Sequence, residues 1–377
     1  MFEFDIVAKD GKARAGRFHT PHGTVETPAF MPVGTNAAVK ALSPEEIRET
    51  GTSIILANAY HLYLRPGADV IEHLGGLHRF MAWDGPILTD SGGFQVYSLA
   101  PLRKIDADGV TFRSHIDGTT HRFTPESAIR LQERLGADII MCLDECTPHD
   151  HPYEEAKRAA ALTTQWAERC LNAKERPDQA LVGIVQGGMF ADLRAESAGV
   201  LSALDLPGYA IGGLCLGEEK EKTLAMIDAS VTHLPDDRPR YLMGAGTPED
   251  FLLATQRGID LFDCVVPTRL ARNGHCLTWS GRISLKQAQY RLDSRPIDEN
   301  CRCVCCQRYT RAYLRHLFMA GEILVSRLAT IHNVTFFQEF LSAIRSAITS
   351  SQLAGFSGRF LPGAGRGAIP VPENQES

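Results

Sequence analysis

The first 26 residues alternate apolar and polar positions around two turn signals, Lys9-Asp10-Gly11-Lys12 and Pro21-His22-Gly23. A period of two with such turns predicts an N-terminal antiparallel β-hairpin. The period then changes. Short apolar runs, each ending on a polar residue or a glycine, alternate with stretches whose apolar positions recur at helical spacing. The runs are Pro28–Val33, Ser53–Ala57, Pro86–Thr89, Asp138–Leu143, Leu181–Val185, Tyr209–Ile211, Tyr241–Met243 and Ile259–Phe262. The helical stretches include Pro44–Thr50, Ala68–Leu74, Pro125–Leu135, Tyr153–Leu171, Asp192–Leu204, Lys220–Leu234 and Pro248–Gln256. Ser43-Pro44-Glu45-Glu46 and Thr247-Pro248-Glu249-Asp250 each place a capping hydroxyl, a first-turn proline and acids where a helix N-terminus favours them. Eight strand-helix units within roughly 235 residues predict an α/β chain closed into a (β/α)8 TIM barrel.

The rhythm breaks twice. Pro101 to Phe123 carries turn signals at Asp106-Ala107-Asp108-Gly109 and Asp117-Gly118 between alternating stretches, which predicts a β insertion after the third barrel strand. A second insertion, about 60 residues long, follows Asp263, and the apolar stretches from Leu314 to Ile348 predict helices, one of them the last barrel helix. The expected organisation is one catalytic domain over residues 1–350, interrupted by a subdomain at about 270–335. A Gly/Pro-rich tail, 351–377, is expected to be flexible.

Composition narrows the class. With 377 residues, 44% hydrophobic and 22% charged, the chain has the makings of a folded protein with a large core. The start, Met1-Phe2-Glu3-Phe4-Asp5, lacks the basic and apolar regions of a secretory signal, and no apolar stretch is long enough to span a bilayer. Ten cysteines in a chain of this size fit a reduced compartment and a metal site better than a disulfide framework, so a cytoplasmic protein without membrane association is expected. The net charge of −6 is unevenly spread. Cys264 to Arg345 holds twelve Lys/Arg against five Asp/Glu, a local excess of +7 on an otherwise acidic chain. One basic lobe on an acidic body suits contact with a polyanion.

In a TIM barrel the active site lies where the strands end. The residues just past the eight runs are Gly34-Thr35-Asn36, Asn58, Asp90-Ser91-Gly92-Gly93, Asp144-Glu145, Gln186-Gly187-Gly188, Gly212-Gly213-Leu214, Gly244-Ala245-Gly246 and Asp263. Acids, amides and glycines thus collect at one rim. Paired carboxylates in one pocket, such as Asp90 and Asp263, can cleave a glycosidic bond, one attacking the anomeric carbon and the other acting as acid/base. Asp144, Gln186 and the Gly212-Gly213-Leu214 backbone have the donors and acceptors to read a purine edge, and Phe94 and Met243 can sandwich a planar base. Asp263 is followed by Arg269 and Arg272 in a segment punctuated by Pro267 and Gly274, which reads as a phosphate-gripping loop. No Walker-type loop or dinucleotide glycine fingerprint is present, so neither a nucleoside triphosphate nor a redox cofactor is expected.

Cys301-Arg302-Cys303-Val304-Cys305-Cys306 is followed 26 residues later by His332. Closely spaced thiolates with a distant histidine suit a closed tetrahedral zinc site of structural type. Spacing alone leaves Cys305 and Cys306 in competition for the third thiolate position. Two further readings share these features: a zinc-containing barrel glycosidase or hydrolase of small glycosides, and a non-catalytic RNA-binding protein. The basic lobe speaks against the first, and the intact Asp90 and Asp263 against the second.

Thr89-Asp90-Ser91-Gly92-Gly93-Phe94-Gln95-Val96, Gly183-Ile184-Val185-Gln186-Gly187-Gly188, Gly212-Gly213-Leu214, Met243-Gly244-Ala245-Gly246-Thr247-Pro248, Asp263 to Gly274 and the cysteine cluster with His332 together resemble bacterial tRNA-guanine transglycosylase. The resemblance runs from about Phe4 to about Ser350. It implies a TIM barrel with a zinc subdomain, and exchange of guanine at wobble position 34 of tRNAs with GUN anticodons (Asp, Asn, His, Tyr) for the queuosine precursor preQ1. It implies Asp263 as nucleophile and Asp90 as general acid/base. It implies base contacts from Ser91, Asp144, Gln186, Gly213 and Leu214, stacking on Phe94 and Met243, and tRNA contacts from Arg269 and Arg272. It implies one structural Zn2+ on Cys301, Cys303, Cys306 and His332, with Cys305 as the extra cysteine. A homodimer through the zinc region is implied too, with Tyr309, Tyr313 and His316 where an aromatic interface cluster belongs. Cys215 and Leu216 depart from the plainer residues expected beside Leu214. The bulk of Leu216 disfavours the large substituent of queuine, and with Cys146, typical of the bacterial type, this points to preQ1.

Overall fold

The eight apolar runs pair with one another in a single cyclic order. A computed structural model describes residues 2–95 and 103–360 of the chain. The first strands, β1 (Phe4–Asp10), β2 (Ala13–Thr20) and β3 (Gly23–Thr27), form an antiparallel sheet, so the expected hairpin gains a third strand. Eight parallel strands then close a barrel: β4 (Ala29–Gly34), β5 (Ile55–Asn58), β6 (Ile87–Asp90), β10 (Ile139–Met141), β11 (Ala180–Val185), β12 (Gly208–Ile211), β13 (Arg240–Leu242) and β14 (Leu261–Cys264). The last pairs with the first, Leu261 opposite Ala29 and Asp263 opposite Met31. Each strand corresponds to one of the runs expected from the sequence.

Alternation decides which side chains fill the barrel. Leu56 points into the cluster formed by Met31, Leu88, Met141, Ile184 and Leu261, whereas Ile55 and Ala57 join the cluster with the outer helices. The inner cluster continues into Phe4, Phe18 and Val25 of the N-terminal sheet, which therefore plugs the barrel floor. A buried ion pair fastens this plug. Arg14 of β2 forks onto Asp260, which also accepts the Arg240 N–H at 2.7 Å. Two further Arg14 N–H groups donate to the carbonyls of Asp236 and Arg238. With its donors and acceptors met, such a pair tolerates burial, and loss of one partner would strand a charge.

Helices Pro44–Glu49 and Pro248–Thr255 begin as their sequences foretell, each closed by a capping box on Ser43 or Thr247. The expected β insertion is present as an antiparallel sheet of β7 (Lys104–Asp106), β8 (Gly109–Arg113) and β9 (Thr120–Phe123); its predicted start at Pro101 and Leu102 lies outside the described residues. The second insertion contains β15 (His275–Thr278) paired with β16 (Gly281–Ser284), then helices Val304–Arg308 and Arg311–Ala320. It leads directly into helix Ile323–Thr349, whose first half serves the insertion and whose second half packs on β4 as the last barrel helix.

Two expectations need correction. The stretch after Asp263 is not a loop. Val266–Arg272 is helical with Pro267 in the first turn, where its missing N–H has no helical partner to lose. The tail is also ordered further than foreseen. Leu353–Phe360 is a helix, because Phe356 and Phe360 pack on Phe340 of the long helix while Leu353 is buried. Residues 361–377 lie outside the described ones. Among the described residues no helix is long and apolar enough to cross a membrane.

Candidate active site

The C-terminal ends of the barrel strands surround a cavity of about 350 Å³. Asp90, Ser91, Phe94, Asp144, Gly213, Leu214, Met243, Asp263 and Arg269 all line it. Residues from the third, fourth, sixth, seventh and eighth barrel strands thus converge, though as many as 173 positions separate them in sequence.

Asp90 ends β6 and is buried. It accepts the Ala59 N–H at 3.0 Å and the Asn58 side-chain amide at 2.5 Å, so it sits against the first turn of helix Ala59–Leu64. Asn58 caps the same helix by accepting the His61 N–H. A helix N-terminus favours a negative charge, but burial prevails. It pushes the Asp90 carboxyl up to about 8, and the charges of Asp263 and Asp144 push the same way. Asp90 therefore holds a proton at neutral pH.

Asp263 stands at the end of β14, separated from β6 around the rim by β4 and β5, and is half-buried. The Tyr241 hydroxyl donates to its Oδ1 at 2.6 Å and the Gly244 N–H to the same oxygen at 2.8 Å. Both donors converge on Oδ1, which fixes the carboxylate plane and leaves Oδ2 free of either. Burial raises this carboxyl above the ordinary carboxylate range, and the two donors oppose the rise. Gly244 presents its N–H from a left-handed backbone, φ +74, which glycine adopts without strain.

Asp144 forms part of the cavity wall. Its Oδ2 accepts the Gln186 side-chain amide at 2.8 Å, and burial pushes its carboxyl up to about 6. Gln186 itself does not line the cavity. It is 1% exposed, stands behind Asp144, and its Oε1 has no partner among the described residues. Space here is tight. A Cβ on Gly93 would lie 2.4 Å from Asp144 Oδ1, and one on Gly213 would lie 2.5 Å from Gln186 Oε1. The Gly212-Gly213-Leu214 turn is held from two sides. Arg194, fully buried, donates to the carbonyls of Gly188 and Gly212. Glu218 accepts the N–H groups of Cys215 and Leu216 and the Thr223 hydroxyl. Cys146, Cys215 and Leu216 line the same cavity.

Sequence reasoning passed over Asn58 as a ligand of Asp90, and over Tyr241, Arg194 and Glu218. The signal for Tyr241 was available: it alternates inward on a three-residue strand two residues from the rim. Arg194 and Glu218 lie in helical or loop sequence that nothing local connects to the pocket. Arg272 is exposed and lies outside the cavity, one turn beyond Arg269 on the same helix.

Cys301, Cys303, Cys306 and His332 are all buried, and their donor atoms lie within 4.8 Å of one another. His332 Nδ1 is 3.3 Å from Cys306 Sγ, and its Nε2–H donates to the Leu277 carbonyl at 2.7 Å. That bond selects the tautomer that leaves Nδ1 free as a ligand. This soft donor set fits a metal ion, and Cys305 stays outside it. Asn333, the next residue, accepts the Leu277 N–H and donates to the carbonyls of Pro267 and His275. The metal group, the β15–β16 hairpin and the helix that carries Arg269 are thereby joined to one long helix.

The sequence is similar to those of known proteins. A family model described as queuine tRNA-ribosyltransferase matches residues 9–364. A queuine tRNA-ribosyltransferase of Herpetosiphon aurantiacus is 55% identical over 355 residues, covering 94% of this chain and 91% of that protein. Those of Desulforamulus reducens and Staphylococcus haemolyticus are 54% and 53% identical, over 94% and 95% of this chain and 95% of each relative. With a barrel, a paired-carboxylate rim and a matched length of this extent, the chain belongs to the queuine tRNA-ribosyltransferase family.

Proposed function

We propose that the protein is a tRNA-guanine transglycosylase of queuosine biosynthesis, a pentosyltransferase that exchanges guanine 34 of GUN-anticodon tRNAs for preQ1 by double displacement. The observation that carries the mechanism is the unequal treatment of two acids on one cavity. Asp90 holds a proton near neutral pH, whereas Asp263 is oriented by two donors on a single oxygen. In the first step Asp263 attacks the ribose C1′ of nucleotide 34. A C1′–O bond forms as the C1′–N bond to guanine breaks, and Asp90 gives its proton to the departing base. In the second step the incoming base attacks C1′, Asp90 takes its proton, and Asp263 is released. Two inversions retain the ribose configuration.

Asp144, largely ionised at neutral pH, accepts N–H donors of the bound base, supported by Gln186 and the Gly213 and Leu214 backbone. Ser91 adds a polar contact, while Phe94 and Met243 cover the ring faces. Arg269 at the cavity edge and Arg272 beyond it grip the anticodon loop. The bulk of Leu216 favours the small aminomethyl group of preQ1 over queuine. Cys301, Cys303, Cys306 and His332 hold one Zn2+ in a closed, structural site. A homodimer forms through the insertion, where Tyr309 and Tyr313 stack at 5.6 Å and Tyr313, Leu292, Met319 and Ile323 are exposed; His316 is also exposed there.

Radiolabelled guanine exchange into a GUN-anticodon tRNA tests the reading. Asp263→Ala should abolish exchange and the slow-migrating covalent species that forms with tRNA and 9-deazaguanine on a denaturing gel. Near-normal exchange by Asp263→Ala would remove the nucleophile assignment.

A further inference from the structure

The barrel floor, opposite the cavity, holds a second cluster of metal-ligating side chains. Asp138 immediately precedes β10 and is fully buried. His22, in the turn between β2 and β3, places Nδ1 2.7 Å from Asp138 Oδ1. His78, on helix Gly76–Phe80, places Nε2 3.1 Å from Asp138 Oδ2. The two imidazoles are stacked with centroids 3.6 Å apart. Three segments remote in sequence thus present two imidazole nitrogens and one carboxylate within 4.8 Å of one another. We propose that His22, His78 and Asp138 form a second metal site, taking a first-row divalent cation such as Zn2+, Co2+ or Ni2+ on the barrel floor.

The donor chemistry fits. Two neutral imidazoles and one carboxylate form an N2O set suited to borderline cations, with the remaining positions left to water. Both Asp138 oxygens act as acceptors, Oδ1 towards the His22 ring and Oδ2 towards the His78 ring and the Ile87 N–H, as an anionic ligand would. The Ile87 N–H donates to Oδ2 at 2.8 Å, which orients the carboxylate from behind and leaves Oδ1 as the ligand oxygen. Binding needs no net proton release from neutral rings. The proton on His22 Nδ1 shifts to Nε2, that on His78 Nε2 shifts to Nδ1, and the lone pairs so freed turn to the cation. The stacked rings must splay to aim both lone pairs at one ion. The His22 ring has room to rotate, since its side chain is 41% exposed. Access is open through an adjoining cavity of about 340 Å³ lined by His22 and His78. The acids of that cavity are already engaged: Glu72 pairs with Arg134, and Glu133 accepts the N–H groups of Glu175 and Arg176. A bound ion would tie the N-terminal sheet, helix Gly76–Phe80 and the base of β10 together.

The test is metal content after equilibrium dialysis against micromolar Zn2+ at slightly alkaline pH, comparing wild type with His22→Ala and His78→Ala. Wild type should retain one more zinc per chain than either variant, and zinc should raise its thermal midpoint but not theirs. Because the readout is a difference, it does not depend on how the Cys3His group is filled. Co2+ distinguishes the two sites directly, since only thiolate ligands give intense sulfur-to-metal charge-transfer bands. The extra cobalt in wild type should add d–d absorption without such bands. Equal zinc content in wild type and both variants, each unfolding cooperatively, overturns the proposal. Asp138 is left unchanged because it also accepts the Ile87 N–H.

Discussion

Asp90 and Asp263 are the same side chain given different work by their neighbours. For Asp90 the native state binds a proton that the unfolded chain releases, since its carboxyl rises from 3.8 to about 8. The sign follows: between those values the native state holds more protons than the unfolded one, so this group lowers stability as pH rises. Asp90→Asn, which cannot ionise, should gain thermal stability relative to wild type as pH climbs through that window, while exchange drops by about 10²-fold or more. Thermal midpoints measured across the pH range, beside exchange rates, check both; a midpoint difference that does not vary with pH would contradict the protonated state. Tyr241 acts on the other acid. Its hydroxyl stabilises the ionised form of Asp263, so Tyr241→Phe should raise that carboxyl further and move the acid limb of kcat/KM to higher pH. A pH–rate profile with an unmoved acid limb would show that Tyr241 does not tune Asp263.

At the scale of elements, helix Val266–Arg272 and the long helix Ile323–Thr349 act as one unit through Asn333. This buried side chain satisfies three backbone groups, two of them on β15 and one on the helix that carries Arg269. Asn333→Ala would leave those groups unpaired, at about 1–3 kcal/mol of stability. Because the arginine-bearing helix loses its anchor, KM for tRNA should rise while affinity for free guanine stays near wild type. Equal losses for both ligands would mean that Asn333 serves the whole barrel. This coupling was invisible beforehand for a local reason. Pro267 and Gly274 read as loop punctuation, yet proline is at home in a first helical turn, and this short helix is held by its buried face, Pro267, Thr268, Leu270 and Ala271, together with the Asn333 bond to Pro267. The capped helices after Ser43 and Thr247 were legible for the opposite reason, since their signals are contained in four consecutive residues.

At the scale of the molecule, the two ends of the barrel are divided by task. The floor is closed by the N-terminal sheet and the buried Arg14–Asp260 pair, while the rim carries the cavity and opens towards the basic insertion. The Cys3His group lies between the insertion and the barrel, so an ion there should set the insertion's position and leave the pocket chemistry alone. Stripping it with a strong chelator is expected to abolish tRNA binding, lower the thermal midpoint, and preserve most of the helical circular dichroism and guanine binding. Retention of full tRNA affinity by metal-free protein would show that the insertion holds its position unaided.

The chain's own pattern determined the barrel, because eight alternations of a short apolar run with a stretch of period 3.6 leave few other ways to bury both faces of each strand. It also determined the acids of the rim, since strand ends in such a barrel point to one face wherever they fall in sequence. The metal group was legible because thiolates two and three residues apart are close before folding begins. Tertiary structure alone decided the rest. It decided that Asp90 keeps a proton, through the low dielectric and the neighbouring acids that folding brings to it. It decided that Gln186 stands behind Asp144, that Arg194 and Glu218 brace the glycine turn, and that His22 and His78 meet on Asp138. Each of these depends on distances between segments far apart in the chain, and no local pattern of residues encodes them.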